Sequence, residues 1–216
     1  LKIVFDVKIR RALNKPIVAE WSEELEIGNL FWREQFTRAL AMKDIQKGRD
    51  YFDSLQLYYQ DDFTTKHQEI AGESFKGEWI APIKIKDDAI LLYLHGGGYT
   101  FYAAVTKYFA KMLSCLLNRK LFALDYRLTP EHKHPAQQED AIAAYQYLLE
   151  NGHDPSKIVL IGDSAGGHLV LMTLLAIKKR GLPQPAAAIG LCPWTDIGNR
   201  GKSLVSNNIY DLVQGS

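Results

Sequence analysis

Ser164 stands in the stretch Gly162-Asp163-Ser164-Ala165-Gly166-Gly167-His168, a G-x-S-x-G pattern. A serine so placed is able to attack a carbonyl carbon, provided the backbone turns sharply enough to expose its hydroxyl. The pattern arises by chance in roughly one chain in fifteen of this length, so alone it decides little. A second stretch bears on the same chemistry: His95-Gly96-Gly97-Gly98 follows the apolar run Ala89 to Leu94. Attack by a serine creates a tetrahedral oxyanion, and backbone N–H groups unobstructed by side chains are what such an anion needs. Glycine loses more backbone freedom on ordering than any other residue, so three in a row require a reason. The expected N–H donors are Gly97 and Gly98, with Ala165 as the third. His95 and Gly96 support the loop, His95 through a side-chain to backbone hydrogen bond rather than as a base. No G-K-[ST] follows the glycines and no G-x-G-x-x-G opens a helix, which argues against a nucleotide loop.

Both stretches need elements to hold them. Lys157 to Ile161 reads as a buried strand and Ala165 to Lys178 as a helix, so Ser164 falls at a strand-to-helix turn. Ala89 to Leu94 has no polar alternation, which predicts a strand buried on both faces. Val105 to Leu117 reads as a helix, Lys120 to Leu124 as a strand, Pro135 to about Glu150 as a helix ended by Asn151-Gly152, and Ala186 to Leu191 as a strand. His67 to Phe75 and Trp79 to Ile85 read as an antiparallel pair turning around Gly77. Strands alternating with helices predict an α/β fold, a mostly parallel central sheet with helices on both faces. Residues 1–60 are rich in charge and aromatics, with helical spacing at Leu30, Phe31, Gln35, Phe36, Leu40 and Met42. One or two helices are expected there, and 61–216 are assigned to the α/β core.

The composition bounds the partners. Of 216 residues, 47% are hydrophobic and 24% charged, and 26 basic against 25 acidic residues leave a net charge of +1. Nothing in that balance favours nucleic acid or an anionic membrane surface. No apolar run approaches the ~18 residues of a membrane span, and the opening LKIVFDVKIRRALNK lacks the apolar centre of a signal peptide. The expectation is a cytoplasmic protein. Cys115 and Cys192 sit in apolar stretches and are expected as buried free thiols.

Four blocks, in order, resemble the hormone-sensitive-lipase-like group of α/β-hydrolase carboxylesterases. They are His95-Gly96-Gly97-Gly98; Asp125-Tyr126-Arg127-Leu128-Thr129-Pro130-Glu131-His132; Gly162-Asp163-Ser164-Ala165-Gly166-Gly167; and Cys192-Pro193-Trp194-Thr195-Asp196. The resemblance covers about residues 66 to 200. It implies an α/β-hydrolase fold, Ser164 as catalytic nucleophile, and hydrolysis of short- to medium-chain carboxylic esters through an acyl-serine. It implies no metal and no organic cofactor. Residues 1–60 resemble the group's helical cap, and the charged residues of the second block, with Glu139 and Asp140 on the following helix, are expected to buttress. One departure concerns the pocket: where the group shows an aromatic, two variable residues and Gly-Ser, this chain has Tyr99-Thr100-Phe101-Tyr102-Ala103.

The group takes its triad acid and base from positions after the serine, in the order Ser, Asp or Glu, His. Here the last histidine is His168, on the nucleophile's own helix and expected to point into the packing behind it. His132, His134 and His153 precede the serine, and Asp196 belongs to a structural block. The triad acid and base are therefore not assigned within this chain; roughly 80 to 100 further residues would supply them. Three accounts stand: a fragment accompanied by its C-terminal remainder as a second chain, a truncation without it, or a natural short form. The expected partners are a small-molecule ester, that C-terminal fragment and, in a homodimer, a second copy. The rival function is a catalytically inactive small-molecule binding protein on the same fold, like the gibberellin receptor. That pattern alters the third glycine, which this chain keeps as Gly98.

Overall fold

The computed structural model describes residues 2–55, 63–72 and 74–212. The expected division at residue 60, position 73 of the first expected strand and the chain end at 216 lie outside the described residues. Two compact units emerge: residues 1–55 together with 196–216, and residues 56–195.

In the first unit, α1 (Lys2–Ala12), α2 (Glu23–Leu40) and α3 (Ile45–Ser54) follow one another. Ser22 starts α2 by accepting the Leu25 N–H at 3.1 Å, as N-cap serines do. Glu26, fully buried on α2, accepts from Arg10 at 2.8 Å and Arg11 at 2.9 Å, so α1 is bound through a satisfied buried charge. Phe52 of α3 packs on Phe36 and Trp32 of α2, with ring centroids 4.7 and 5.8 Å apart.

The larger unit carries six strands: β1 (Thr65–Ala71), β2 (Lys76–Pro82), β3 (Ile90–Leu94), β4 (Lys120–Asp125), β5 (Ile158–Asp163) and β6 (Ala187–Leu191). Their order is β1-β2-β4-β3-β5-β6. β2 runs antiparallel to both its neighbours, and β4, β3, β5 and β6 run parallel. The helices are α4 (Ala104–Leu117), α5 (Ala136–Glu150) and α6 (Ala165–Lys179). Strand periodicity sends alternate residues to opposite faces, and both faces are covered. Ile90, Leu92 and Leu94 join Ile142 and Leu148 of α5 and Leu169 and Val170 of α6 in one core. Leu91 and Tyr93 join Ala110 of α4, Leu121 and Ile161 in the other. This is an α/β-hydrolase fold, with a mostly parallel sheet covered by helices and not closed.

Residues 196–212, counted with the core in the sequence reading, belong to the first unit. They carry the short α7 (Ser203–Ser206). Asn29 of α2 donates to the Tyr210 carbonyl at 3.2 Å, and Arg33 donates to the carbonyls of Asn208 and Asp211.

The expected hairpin needs correction. Its turn lies between β1 and β2, where the Gly72 N–H donates to the Phe75 carbonyl at 2.9 Å, and not at Gly77. Gly77 stands inside β2, opposite Leu124. A Cβ there would lie 2.6 Å from Cε1 of Phe122. The glycine signal marks a close approach within a strand, not a reversal. The Phe122 ring has little room to yield, because Phe75, Trp79 and Tyr147 surround it with centroids 6.0, 5.1 and 5.8 Å away. Gly77→Ala should therefore destabilise the protein by about 1–3 kcal/mol, read from urea midpoints. Phe122→Leu should recover part of that loss in a double-mutant cycle. Equal costs of Gly77→Ala in both backgrounds would show that the ring is not the obstacle.

Candidate active site

The strand register assembles the site. Leu94, the last residue of β3, pairs with Gly162 of β5. The loop that starts at His95 and the turn that carries Ser164 therefore leave the sheet side by side, at the carboxyl ends of central parallel strands, where open α/β sheets bind ligands.

Ser164 connects β5 to α6 with φ 51° and ψ −118°. An L-residue adopts that region only when its surroundings hold it there. The holding bonds are present. The Ser164 N–H donates to the Leu191 carbonyl at 2.9 Å, and the Ser164 carbonyl accepts from Trp194 at 2.9 Å and His168 at 3.1 Å. The residues that follow β6 thus clamp both sides of the turn. The hydroxyl makes no capping bond to α6. The helix N-terminus beside it favours negative charge. Close approach of α6 to β3 explains two glycines. A Cβ on Gly162 would lie 2.5 Å from the Gly166 carbonyl oxygen, and one on Gly166 would lie 2.5 Å from that of His95.

The glycine loop is governed by its peptide planes. In a trans peptide the carbonyl and the following N–H point in opposite directions. The Gly96 carbonyl accepts from Nδ1 of His95 at 2.6 Å, so the Gly97 N–H faces away from that ring. The Gly97 carbonyl accepts from the Thr100 and Phe101 N–H groups, each at 3.0 Å, so the Gly98 N–H faces away from that turn. Gly97 has φ 109° and Gly98 φ 61°, values that favour glycine. Among the described residues, the N–H groups of Gly97, Gly98 and Ala165 have no acceptor. The first peptide of the loop is tied at both ends instead. Its His95 carbonyl accepts from the Tyr126 hydroxyl at 2.6 Å, and the Gly96 N–H donates to Oδ1 of Asp163 at 3.0 Å. Such an arrangement can present unpaired N–H groups to an anion beside a serine.

His95 is fully buried between Tyr102 and Tyr126, stacked on both at centroid distances of 4.1 and 4.0 Å. Because a carbonyl only accepts, Nδ1 carries the proton and Nε2 is a bare lone pair, buried without a partner among the described residues. Desolvation pushes the imidazole down to about 3, the Gly96 carbonyl opposing it, so the ring is neutral near pH 7. Tyr102, Tyr126 and the Tyr93–Asp163 contact escaped the sequence reading, because which rings meet depends on tertiary register. The bulky residues after Tyr99 serve here as support: Phe101 is buried and Tyr102 lies on His95.

The other candidates fall as follows. His168 is not lost in the packing behind Ser164: its Nδ1 meets the Tyr99 hydroxyl at 2.6 Å, joining α6 to the glycine loop. Its imidazole is lowered by burial first and then by His134. Among the described residues no histidine hydrogen-bonds the Ser164 hydroxyl; His67 meets Glu78 at 2.8 Å and His153 packs on Trp79. Arg127 grips buried Asp140 through Nε and Nη2, at 2.9 and 2.6 Å from Oδ1, and fixes the loop after β4 to α5. Asp196, in the other unit, accepts from the backbone of Gly198 and Arg200. Both cysteines are free, but Cys192 is exposed and Cys115 half-buried. Cys192 directly follows β6, which has a neighbouring strand on one side only among the described residues. Among the described residues no cluster of three His, Cys, Asp or Glu could hold a metal ion, and no helix is long and apolar enough to cross a membrane.

Residues 91–212 match the family described as alpha/beta hydrolase fold. The chain is 41% identical over 137 residues to an acetyl-hydrolase of Streptomyces hygroscopicus, covering 63% of this chain and 46% of that protein. A putative acetyl-hydrolase, LipR, of Mycobacterium tuberculosis is 33% identical over 62% of this chain and 44% of its own length. The chain thus spans less than half the length of these curated relatives. Among solved structures, an esterase of the bacterial hormone-sensitive lipase family superposes with a TM-score of 0.76 at 35% identity, over 90% of this chain and 65% of that one. EstE5, in crystals soaked with p-nitrophenyl butyrate, superposes with a TM-score of 0.79 at 30% identity, over 90% and 66%.

The neutral state of His95 has a measurable consequence. Its folded value of about 3 lies below the ordinary 6.5, so between those values the unfolded chain binds a proton that the folded chain refuses. The contribution of this group to stability is full above pH 6.5 and is lost as pH falls toward 3. From pH 5.5 to 4.5 it should steepen the loss by about 1.4 kcal/mol per pH unit. His95→Asn should flatten the urea-denaturation profile by that amount. An unchanged slope would mean that the buried ring carries a charge.

Proposed function

The chain belongs to the α/β-hydrolase fold family, in its hormone-sensitive-lipase-like group of esterases, and from that premise we propose that it is the nucleophile-bearing part of a serine carboxylesterase. The observation that carries this reading is the juxtaposition at the carboxyl ends of β3 and β5. A serine held at positive φ stands beside three N–H groups, of Gly97, Gly98 and Ala165, that have no acceptor among the described residues.

In this reading Ser164 is the catalytic nucleophile. Its oxygen attacks the ester carbonyl carbon, and its proton passes to a base. The negative charge gathers on the carbonyl oxygen, where Gly97, Gly98 and Ala165 donate to it. The carbon–oxygen bond to the alcohol breaks, the alcohol leaves with the proton, and an acyl-serine remains. Water then attacks the acyl carbon and releases the carboxylic acid. His95 and Gly96 position the loop and touch no substrate. The base and the acid that orients it are assigned to a part of the protein outside these residues. No described histidine bonds the Ser164 hydroxyl, and the relatives are more than twice as long as the span they share with this chain. The substrate class is carboxylic esters with short to medium acyl chains. The acetyl-hydrolase names of two relatives and the butyrate ester soaked into a neighbour's crystals support the short end. Residues 1–60 are read as the group's helical cap contribution, and the cytoplasm as the working compartment. A receptor-like binding protein is not favoured: Gly98 is kept, and the relatives' names are those of hydrolases.

The test uses the full-length protein. A fluorophosphonate should add to Ser164, located by peptide mass spectrometry. Ser164→Ala should lower kcat toward p-nitrophenyl acetate and butyrate by at least about 10⁴-fold while the protein still folds. Hydrolysis by the alanine variant at the wild-type rate would overturn the assignment.

A further inference from the structure

Asp163 precedes the nucleophile, and nothing in the reaction as written uses it. Its Oδ1 accepts two hydrogen bonds: from the hydroxyl of Tyr93 at 2.7 Å and from the N–H of Gly96 at 3.0 Å. Tyr93 is fully buried on β3, and burial, with the carboxylate beside it, raises its phenol above the ordinary range, so the hydroxyl stays a donor. We infer that Asp163 is a positioning residue that sets which N–H groups of the glycine loop face the reacting carbonyl. The inference rests on the ester-hydrolysis reading of the same site.

Three observations carry it. First, the bond from Gly96 removes that N–H from the donors available to an oxyanion. The first peptide is then fixed at its N–H end by Asp163 and at its carbonyl end by Tyr126. The two peptides that follow are aimed through their own carbonyls, and the first peptide sets the point from which the chain enters them. Second, each glycine of the loop answers a different demand. Gly97 and Gly98 lie at positive φ, and Gly96 does not. What Gly96 requires is space. A Cβ there would overlap the Asp163 carboxylate and lie 3.0 Å from the Asp163 carbonyl oxygen. The first glycine is present because the carboxylate is. Third, Asp163 is the last residue of β5 and Ser164 the next. One rigid segment therefore carries both the nucleophile and the anchor of the loop that stabilises its product, and their separation does not depend on a flexible hinge. A carboxylate this close opposes an oxyanion electrostatically. Its gain lies in geometry, and the Tyr93 bond binds part of its charge to the core.

The full-length protein tests this with three variants. Asp163→Ala should lower kcat for p-nitrophenyl butyrate by about 10- to 100-fold, less than or equal to the loss of one whole donor, with KM changed by less than about threefold. Asp163→Asn keeps an acceptor oxygen for both donors and should restore most of kcat. Tyr93→Phe should fall between them. Amide hydrogen exchange gives a readout independent of turnover: the Gly96 N–H should exchange faster in Asp163→Ala and stay protected in Asp163→Asn. Wild-type kcat in Asp163→Ala, a loss confined to KM, or unchanged Gly96 exchange would each overturn the proposal. An asparagine variant as slow as alanine, with Gly96 still protected, would also overturn it, by assigning the effect to charge. A wild-type protein that neither hydrolyses esters nor takes up a fluorophosphonate would instead overturn the ester-hydrolysis reading. Gly96 exchange would then still decide whether Asp163 holds the loop.

Discussion

A planar amide joins a carbonyl and an N–H that cannot turn independently, and the site is built on that constraint. Binding the carbonyl of one glycine to a buried group aims the N–H of the next. His95 aims one in this way, and the backbone of Thr100 and Phe101 aims another. Of the residues that do the aiming, His95 and Phe101 are buried. The groups that are aimed have no acceptor among the described residues, a state that a folded protein ordinarily avoids for N–H groups. The buried tyrosines belong to the same device. Tyr126 both stacks on His95 and binds its carbonyl, and Tyr102 closes the opposite face of the ring.

The sheet and α6 supply the second requirement, proximity. Gly162 and Gly166 let the first turn of α6 approach the end of β3 more closely than any side chain would allow. The glycine loop and the turn at Ser164 are consequently neighbours through backbone as well as through the Asp163 and His168 side chains. Backbone contacts of this kind have few rotamers to lose. The Ser164 N–H bond to the Leu191 carbonyl and the Trp194 N–H bond to the Ser164 carbonyl brace the strained residue from the β6 side. Pro193, beside Gly167, fills the remaining space at the start of α6.

The elements that position the site were legible because their patterns are local. Continuous apolar runs marked β3, β4 and β5, and the caps and glycines around α5 and α6 placed those helices within a residue or two. Ser164 and the glycines were visible as motifs. What stayed hidden was long-range. Gly77 read as a turn because nothing near it in sequence announces the Phe122 ring. Cys192 read as buried from its apolar neighbours, which do not record that β6 pairs on one side only among the described residues. The tie between Tyr99 and His168 joins residues 69 apart, and that between Tyr93 and Asp163 residues 70 apart. Short patterns carry no record of such pairs. The division of the chain was obscured for the same reason, since residues 196–216 look like a continuation of the core they follow.

That division bears on the order of assembly. The helices of the smaller unit are made first, yet the contact of Asn29 with Tyr210 spans 181 residues. During synthesis α1, α2 and α3 must wait while β1 to β6 emerge. Domains tend to fold as units as they leave the ribosome, and contacts between distant residues form slowly. The larger unit, continuous in sequence, is the natural nucleus, and the smaller one is completed only when the segment around α7 has emerged. A chain interrupted before residue 196 would hold β1 to β6 while α2 still lacks the carbonyls that Asn29 and Arg33 bond.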